Sequence, residues 1–344
     1  MHEAMHQHLG RGTKTFLLVF GLLAWAFLAG ALWLVVANAY AAPQYESGSV
    51  ALHAARSSPL DLEVGGELAG VEKGGTRYIS RDDLLALSGV KFTVSGDENF
   101  VGPVEVRGVP LEELAKHLGE SPQSDLVVAI CDDLYRANYS RAYLAAHHPA
   151  LVLEINGQPP DRWPQDAETQ SSSMGPYMIT HEHFTPRFKI LSHPDEPQVP
   201  WGVVRLEFRN EERVFRAIAP VGANANSPEV QAGFAIAKQN CFRCHNKDGE
   251  GGQKAGRPWL VLSAWATADA DYFRGYVHNP QSKNPRAQMP AFPDYDAPTL
   301  DALRAYFSTF TSLPAAAPHP GPEGHGAKTL APAAAIKPAK ADQP

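Results

Sequence analysis

The stretch QNCFRCHN constrains this chain more than any other, because Cys241, Cys244 and His245 fall within five positions. The chain has 344 residues but only three cysteines, which excludes a disulfide framework. It must therefore close around apolar cores, and its length is sufficient for two domains with separate cores. The two clustered thiols must serve a local chemical purpose.

The spacing Cys-x-x-Cys-His is the attachment signature of a c-type haem, in which two thiols add across the vinyl groups and the imidazole ligates iron. A thioredoxin-like pair would follow a strand and precede a helix, whereas here a predicted helix comes first and a Gly-rich loop, 248–252, follows. A zinc site would need a fourth soft ligand, and the remaining cysteine, Cys131, lies far upstream. The spacing therefore favours haem.

Haem iron in an electron-transfer protein needs a second axial ligand, and a methionine thioether raises the reduction potential of the iron relative to water or histidine. Met289, in the segment QMPAFP, lies between the second and third predicted helices and is the expected ligand. His278 competes within the same segment, but its place at a helix end before Asn-Pro favours a surface role.

Helical patterns dominate from Ser227 onward. A capping hydroxyl followed by proline predicts a helix over 227–240. Two more helices are expected over 268–278 and 298–310, the last with an apolar stripe. Residues 313–344 are rich in Ala, Pro and Gly, which predicts a disordered tail.

The region 46–222 contains short runs rich in Val, Ile and aromatics, broken by turn signals, with helical patterns between them. This mixture predicts an α+β module. The expected strands lie at 126–131, 150–157 and 201–208, the expected helices at 81–88, 110–118 and 140–147, and a polar loop at 165–175.

Residues 16–42 contain a long apolar run without charge, preceded by a polar segment, 1–15, that carries Arg11 and Lys14. About 20 apolar residues span a bilayer, whereas a signal-peptide core has about 7–15, so the length favours a retained transmembrane anchor. Small-x-small triplets within 37–41 keep a cleaved signal segment open. The cationic flank predicts a cytoplasmic N-terminus and a periplasmic body at the bacterial inner membrane, or a soluble periplasmic protein after cleavage.

Charge and spacing argue against two other classes of protein. The formal net charge is -7 and no basic run occurs, so we expect no nucleic-acid partner. His2, Glu3 and His6 match the H-E-x-x-H spacing of zinc proteases, but a short polar segment before a membrane helix supplies no third ligand or cleft. The histidines of 147–148 and 181–183 can form a metal site only if the fold brings them together.

Residues 227–312 resemble a class I cytochrome c domain. The likeness covers the attachment motif, Gly233 with the phenylalanine after it, the pair Tyr306-Phe307, and the methionine followed by proline. In that family the first and last helices cross at the glycine. The resemblance also implies that the carbonyl of Pro258 accepts the second N–H of His245, a bond that fixes the orientation of the ring.

The segment order in 46–222 is similar to the molybdopterin-binding domain of sulfite-oxidase-type enzymes. In those enzymes a strand ending in a metal-binding cysteine comes first, but the corresponding stretch here, 92–97, contains no cysteine. Two explanations remain open: a docking or structural module without molybdenum, or a pterin bound by an altered site that uses Cys131, Asp132, Asp133 and Tyr135. For Cys131 the alternative role is that of a small buried apolar residue.

We therefore expect a multidomain chain with one N-terminal transmembrane helix, a sulfite-oxidase-like module at 46–222 and an all-α cytochrome c domain at 223–312. It would carry one covalent haem c and no molybdopterin, and would transfer single electrons without catalytic residues of its own. Expected partners are a dehydrogenase or quinol-oxidising complex and a terminal oxidase or soluble cytochrome. Two alternatives are a haem-containing molybdenum oxidoreductase subunit with its catalytic site in the front module, and a haem sensor with an open sixth position.

Overall fold

The computed structural model describes residues 49–97, 99–165, 174–183 and 196–310. The apolar segment 16–42, the H-E-x-x-H residues, the tail 313–344 and most of the loop 165–175 lie outside the described residues. Within the described ranges, no helix has both the length and the apolar character needed to cross a bilayer.

Residues 49–218, here called the front module, alternate short strands and helices as the sequence predicts. The strands are β1 Leu62–Gly66, β2 Thr76–Ile79, β3 Val90–Val94, β4 Val104–Pro110, β5 Leu126–Cys131, β6 Arg136–Ser140, β7 Ala150–Ile155, β8 Met178–Thr180 and β9 Val203–Arg209. The helices are α1 Arg81–Leu87, α2 Leu111–Leu118, α3 Arg141–His147 and α4 Glu211–Phe215, with 3-10 turns at Pro160–Arg162 and Arg216–Ile218.

Two sheets organise the front module. The larger sheet has the order β2-β1-β9-β5-β6, in which β1 and β9 run parallel and the other neighbours antiparallel. The smaller sheet, β3-β4-β7-β8, is antiparallel throughout, with a bulge between Arg107 and Gly108. An apolar core lies between the two sheets and their helices.

The residues 228–310, here called the helical module, follow the front module. Their helices are α5 Pro228–Gln239, α6 Trp259–Ala268, α7 Ala270–His278, α8 Pro280–Lys283 and α9 Ala297–Phe307. They are joined by 3-10 turns at Cys241–Arg243 and Ser308–Phe310 and by a small hairpin, β10 Asn246–Lys247 with β11 Glu250–Gly251. The predicted α+β module followed by a helical domain is confirmed.

Strand β5 connects the two modules, because its two faces belong to different cores. Val127 and Ala129 face the core of the front module. Leu126 and Val128 point the opposite way and pack in the core of the helical module. This alternation is the period-2 pattern of a strand buried on both sides. The larger sheet is therefore covered on its outer face by the helical module.

Helices α5 and α9 cross at a glycine, as the family resemblance implies. A Cβ atom built on Gly233 would lie 2.0 Å from the carbonyl oxygen of Ala302 and 2.7 Å from the Cβ of Tyr306. Only a residue without a side chain permits this approach of two backbones. The N-cap of α5 is also as predicted: the hydroxyl of Ser227 accepts a hydrogen bond from the N–H of Val230 at 3.3 Å.

Candidate haem-attachment site

The attachment motif forms a tight turn at the end of α5. The N–H groups of Cys244 and His245 both donate to the carbonyl of Cys241, at 3.2 and 3.0 Å. Asn240, the C-cap of α5, donates from its amide to the hydroxyl of Tyr295 at 2.7 Å. The turn is thus held by its own backbone and by the segment before α9, and it presents two thiols and an imidazole together.

The imidazole of His245 is oriented by a backbone carbonyl. Its Nδ1 lies 2.6 Å from the carbonyl oxygen of Arg257, so Nδ1 carries the proton and donates it. The other ring nitrogen, Nε2, is then the ligating atom. Burial lowers the pKa of His245, which favours the neutral form that binds metals. Donation of the second N–H to a carbonyl is the bond that fixes a ligating histidine.

The prediction that Pro258 supplies this carbonyl is wrong by one residue. The carbonyl of Pro258 accepts instead from the N–H of Val261 at 2.9 Å, because Pro258 is the N-cap of α6. The carbonyl of Pro258 thus bonds within the first helical turn, and the carbonyl of Arg257 faces the histidine. Arg257, one position earlier, is free of the helix, and its guanidinium stacks over the ring of Trp265 at 4.9 Å.

The two thiols do not have the character of a redox pair. Burial raises the pKa of Cys241 to about 12, and burial also raises the pKa of Cys244. A thioredoxin-like pair requires a lowered thiol pKa, so the environment argues against that alternative. Among the described residues, no group of three or more His, Cys, Asp or Glu side chains is placed to hold a metal ion.

The glycine-rich loop after the motif folds back against it. A Cβ on Gly252 would lie 1.7 Å from the carbonyl oxygen of Arg243. A Cβ on Gly251, which has φ +91°, would lie 2.4 Å from the carbonyl oxygen of His245. The N–H of Gly252 donates to the carbonyl of Phe242 at 2.9 Å. The glycines thus allow the loop to close on the motif without side chains between them.

Met289 and Cys241 are both partly buried and pack against the core of the helical module. Its backbone carbonyl accepts from the side-chain amide of Gln281 at 3.1 Å, and the same amide donates to the carbonyl of Ala287 at 3.1 Å. The segment that carries the thioether is therefore restrained. His278, the competing ligand, is exposed at the end of α7.

Trp259, at the start of α6, is a core residue. Its side chain is fully buried and its ring packs on those of Phe242, Tyr306 and Phe307, with centroid distances of 5.7, 6.1 and 4.8 Å. Ring pairs at such distances are stabilising beyond the area they bury. Trp259 therefore links the aromatic pair of α9 to Phe242, the second residue of the attachment turn.

The turn between β5 and β6 touches the loop that follows the motif. The N–H of Gln253 donates to the carbonyl of Leu134 at 2.9 Å, and the ammonium of Lys254 lies 2.6 Å from the carboxylate of Asp133. On the same side Glu250 pairs with Arg209 of β9 and lies 3.5 Å from Arg136 of β6. These cross-module contacts have no signal in the sequence, because each partner lies more than forty positions from the other.

Cys131 ends strand β5 and is buried in the core of the front module. Burial is the main cause that raises the pKa of its thiol, with Asp133 and Asp132 adding to the shift. A neutral, buried thiol behaves as a small apolar residue, the role we expected as the alternative to a ligand.

The stretch 92–97 contains a carboxylate that is satisfied internally. Asp97 accepts from the hydroxyl of Thr180 at 2.7 Å and from the backbone and side-chain N–H groups of Asn99, both at 2.9 Å. Burial raises the pKa of Asp97. With no cysteine in the stretch and its acidic group already bonded, the donor set does not fit a molybdenum ligand.

The fold brings one histidine from each of the two His-rich segments together. His147 and His181 have ring centroids 6.3 Å apart, and the hydroxyl of Tyr143 lies 3.1 Å from Nε2 of His181. His148 and His183 are exposed. Burial lowers the pKa of His181 to about 3, so it is neutral at physiological pH. Of the four histidines, the fold thus brings only two together, and one of these is hydrogen-bonded to a phenol.

A buried turn that presents two thiols and an oriented imidazole, enclosed by crossing helices, defines a c-type cytochrome domain. Residues 228–307 match the family model described as cytochrome C oxidase, cbb3-type, subunit III. The predicted cytochrome c domain is thus confirmed over that range, and it implies haem c. The matched range is less than half of the chain.

The remaining comparisons concern the whole chain. One solved structure, the sulfane dehydrogenase SoxCD from Paracoccus pantotrophus, aligns with 50% of this chain at 13% identity and a TM-score of 0.29. The alignment covers 45% of that chain, so this chain spans less than half of its length. No curated protein matches the chain.

Proposed function

We propose that the chain is a membrane-anchored, periplasm-facing monohaem c-type cytochrome that passes single electrons between respiratory partners. The bond from His245 to the carbonyl of Arg257 carries this proposal, since it leaves Nε2 as the free ligating atom beside the two thiols. Haem iron supplies the one-electron redox chemistry when it is bound. The residues of the chain attach, orient and bury it.

The proposed roles follow from position. Cys241 and Cys244 would form the thioether bonds, His245 would ligate iron from one side and Met289 from the other. Support for Met289 comes from its packing against the same core as Cys241 and from the restraint of its backbone by Gln281. The anchor and the periplasmic location rest on the apolar segment 16–42 and its cationic flank.

Covalent haem is tested first. The full chain, expressed with the c-type maturation machinery, should give a haem-stained band at its own mass in a denaturing gel. It should also keep its pigment after extraction with acidified acetone. The double variant Cys241→Ser/Cys244→Ser should lose the pigment. A colourless wild-type protein, or one that releases its haem to the solvent, would contradict the proposal.

Axial ligation by Met289 is tested with Met289→Ala, with the neighbouring exposed Gln288→Ala as the matched control. The alanine at 289 should remove the low-spin reduced spectrum and allow carbon monoxide to bind, whereas the variant at 288 should resemble the wild type. If the wild type binds carbon monoxide as readily as Met289→Ala, the sixth position is open and the protein is better described as a sensor.

The second candidate function is a molybdenum oxidoreductase subunit that passes electrons to its own haem. The altered-site version would use the turn of Cys131, Asp132, Asp133 and Tyr135, which touches the loop after the motif. Against it, the thiol of Cys131 faces the core and Asp133 is paired with Lys254. Metal analysis after expression with ample molybdate separates the two, because stoichiometric molybdenum would support the enzyme.

A further inference from the structure

A short stretch of the front module, residues 196–198, lies between strand β6 and the attachment turn. Gln198 is fully buried; its side chain accepts from the backbone N–H of Asn138 at 2.7 Å and donates to the carbonyl of the same residue at 2.6 Å. On the other side, the carbonyl of Glu196 accepts from the side-chain amide of the last residue of α5 at 2.6 Å and from the guanidinium of Arg243 at 3.5 Å. The stretch therefore joins the front module to the helix and the turn that carry the two thiols.

Two side chains of opposite charge meet at this turn. Arg243 lies between the two cysteines in the sequence, and its guanidinium lies beside the phenol of Tyr135. The carboxylate of Glu196 lies beside the hydroxyl of Tyr295. Arg243 and Glu196 are both half-buried, so solvent ions screen their charges less than those of surface residues.

The two charges act on the thiols in opposite directions. Burial is the main cause that raises the pKa of Cys241 to about 12; the negative charge of Glu196 adds to this shift, whereas the positive charge of Arg243 opposes it. Burial also raises the pKa of Cys244, and the charges of Lys254 and Arg243 oppose that shift. A group bonded to the two sulfurs would experience the same two charges.

Ferric haem carries one more positive charge than ferrous haem, so a nearby cation favours the ferrous state and a nearby anion the ferric state. We propose that Arg243 raises and Glu196 lowers the reduction potential of the haem, and that the front module places both charges, because it contributes Glu196 and packs Tyr135 beside Arg243. This inference rests on the proposed function, since it requires a haem bonded to the two thiols. It gives the front module a role that requires no metal of its own.

Spectroelectrochemical titration of the haem-loaded full chain tests the proposal. Arg243→Gln should lower the reduction potential by about 30–60 mV, which is about a three- to tenfold change in the reduction equilibrium at about 59 mV per tenfold for one electron. Glu196→Gln, which keeps the size of the side chain and an acceptor oxygen, should raise the potential by a similar amount. A general loosening of the haem site would shift both variants in the same direction, so opposite signs are specific to charge.

Two further variants serve as controls. Arg243→Lys keeps the positive charge and should have a potential close to that of the wild type. Arg216→Gln should also leave the potential unchanged, because the Arg216 side chain is 68% exposed and solvent screens its charge.

The proposal is overturned if Arg243→Gln and Glu196→Gln shift the potential in the same direction or not at all, or if Arg243→Lys shifts it as far as Arg243→Gln. If Arg243→Gln incorporates no haem, Glu196→Gln decides alone: a raised potential supports the proposal, and an unchanged or lowered one overturns it. A wild-type protein without covalent haem would overturn the proposed function as well, whereas the outcomes above overturn this inference alone.

Discussion

Replacement of Gly233 by alanine should destabilise the helical module, although alanine is the better helix former. Gly233 lies within α5, where it crosses α9. The added methyl group would lie 2.0 Å from the carbonyl oxygen of Ala302, 2.5 Å from its carbonyl carbon and 2.7 Å from Cβ of Tyr306. Two of these three atoms are backbone, so a change of side-chain rotamer cannot relieve the contact.

Two opposing effects set the magnitude. The change from glycine to alanine within a helix gains about 1 kcal/mol of intrinsic propensity. Restoring ordinary contact requires the two backbones to separate by about 1.5 Å at the crossing. Overpacking of a close-packed core costs about 1–3 kcal/mol and occasionally more, and a backbone clash belongs at the upper end. We therefore expect a net loss of about 2 kcal/mol.

Guanidinium unfolding of the haem-loaded protein, followed by the haem absorbance, measures the effect. For a module of this size the expected loss corresponds to a melting temperature lower by roughly 8–16 °C. Gly256→Ala is the control, because Gly256 is exposed and a built Cβ there meets nothing within 4 Å. A Gly233→Ala variant as stable as Gly256→Ala would show that the helices do not cross as described.

Three further predictions concern the front module and the loop after the motif. A double-mutant cycle on Arg209→Ala and Glu250→Gln should give a coupling free energy of about 1 kcal/mol in chemical unfolding, since this half-buried pair joins the two modules. His181, whose pKa is lowered by burial to about 3, is protonated only in the unfolded chain as the pH falls below about 6.5. Stability should therefore fall by about 1.4 kcal/mol per pH unit from 6.5 towards 3, and His181→Gln should remove this part of the slope in urea unfolding at several pH values. Gly252→Ala should reduce the yield of covalent haem, because its Cβ would lie 1.7 Å from a backbone carbonyl of the motif, and a pyridine haemochrome assay measures that yield.

Controls for these predictions come from the same chain. The exposed pair Arg216 and Glu212, with side chains 68% and 81% exposed, should give a coupling below about 0.5 kcal/mol. An equal coupling in both pairs would contradict the assigned role of the contact between modules. An unchanged pH slope in His181→Gln, or a full haem yield in Gly252→Ala, would refute the corresponding argument.

Local signals in the sequence predicted much of the fold, because caps and periodicity act within a few residues. The start of α5 at Ser227 and Pro228 and strand β5 were predicted correctly. Helix α6 was missed. Its buried positions recur at helical spacing, but the positions between them are also apolar, so no stripe stands out from the background.

Long-range features could not be predicted in the same way. The parallel pairing of β1 with β9 joins residues far apart in the chain, and nothing local encodes it. The same holds for the contacts between the two modules, such as the ion pair of Lys254 and Asp133. The error at Pro258 has a local cause: a proline that caps a helix looks identical in sequence to one whose carbonyl faces a histidine.

Because β5 is buried on both faces, it determines which side of the helical module another protein can contact. Because Leu126 and Val128 are embedded in the core of the helical module, the front module covers that flank of the helical module. A redox partner of the helical module cannot contact the flank that β5 covers. Separating the two modules would expose the apolar side chains that now bury one another, so each module depends on the other to cover this surface.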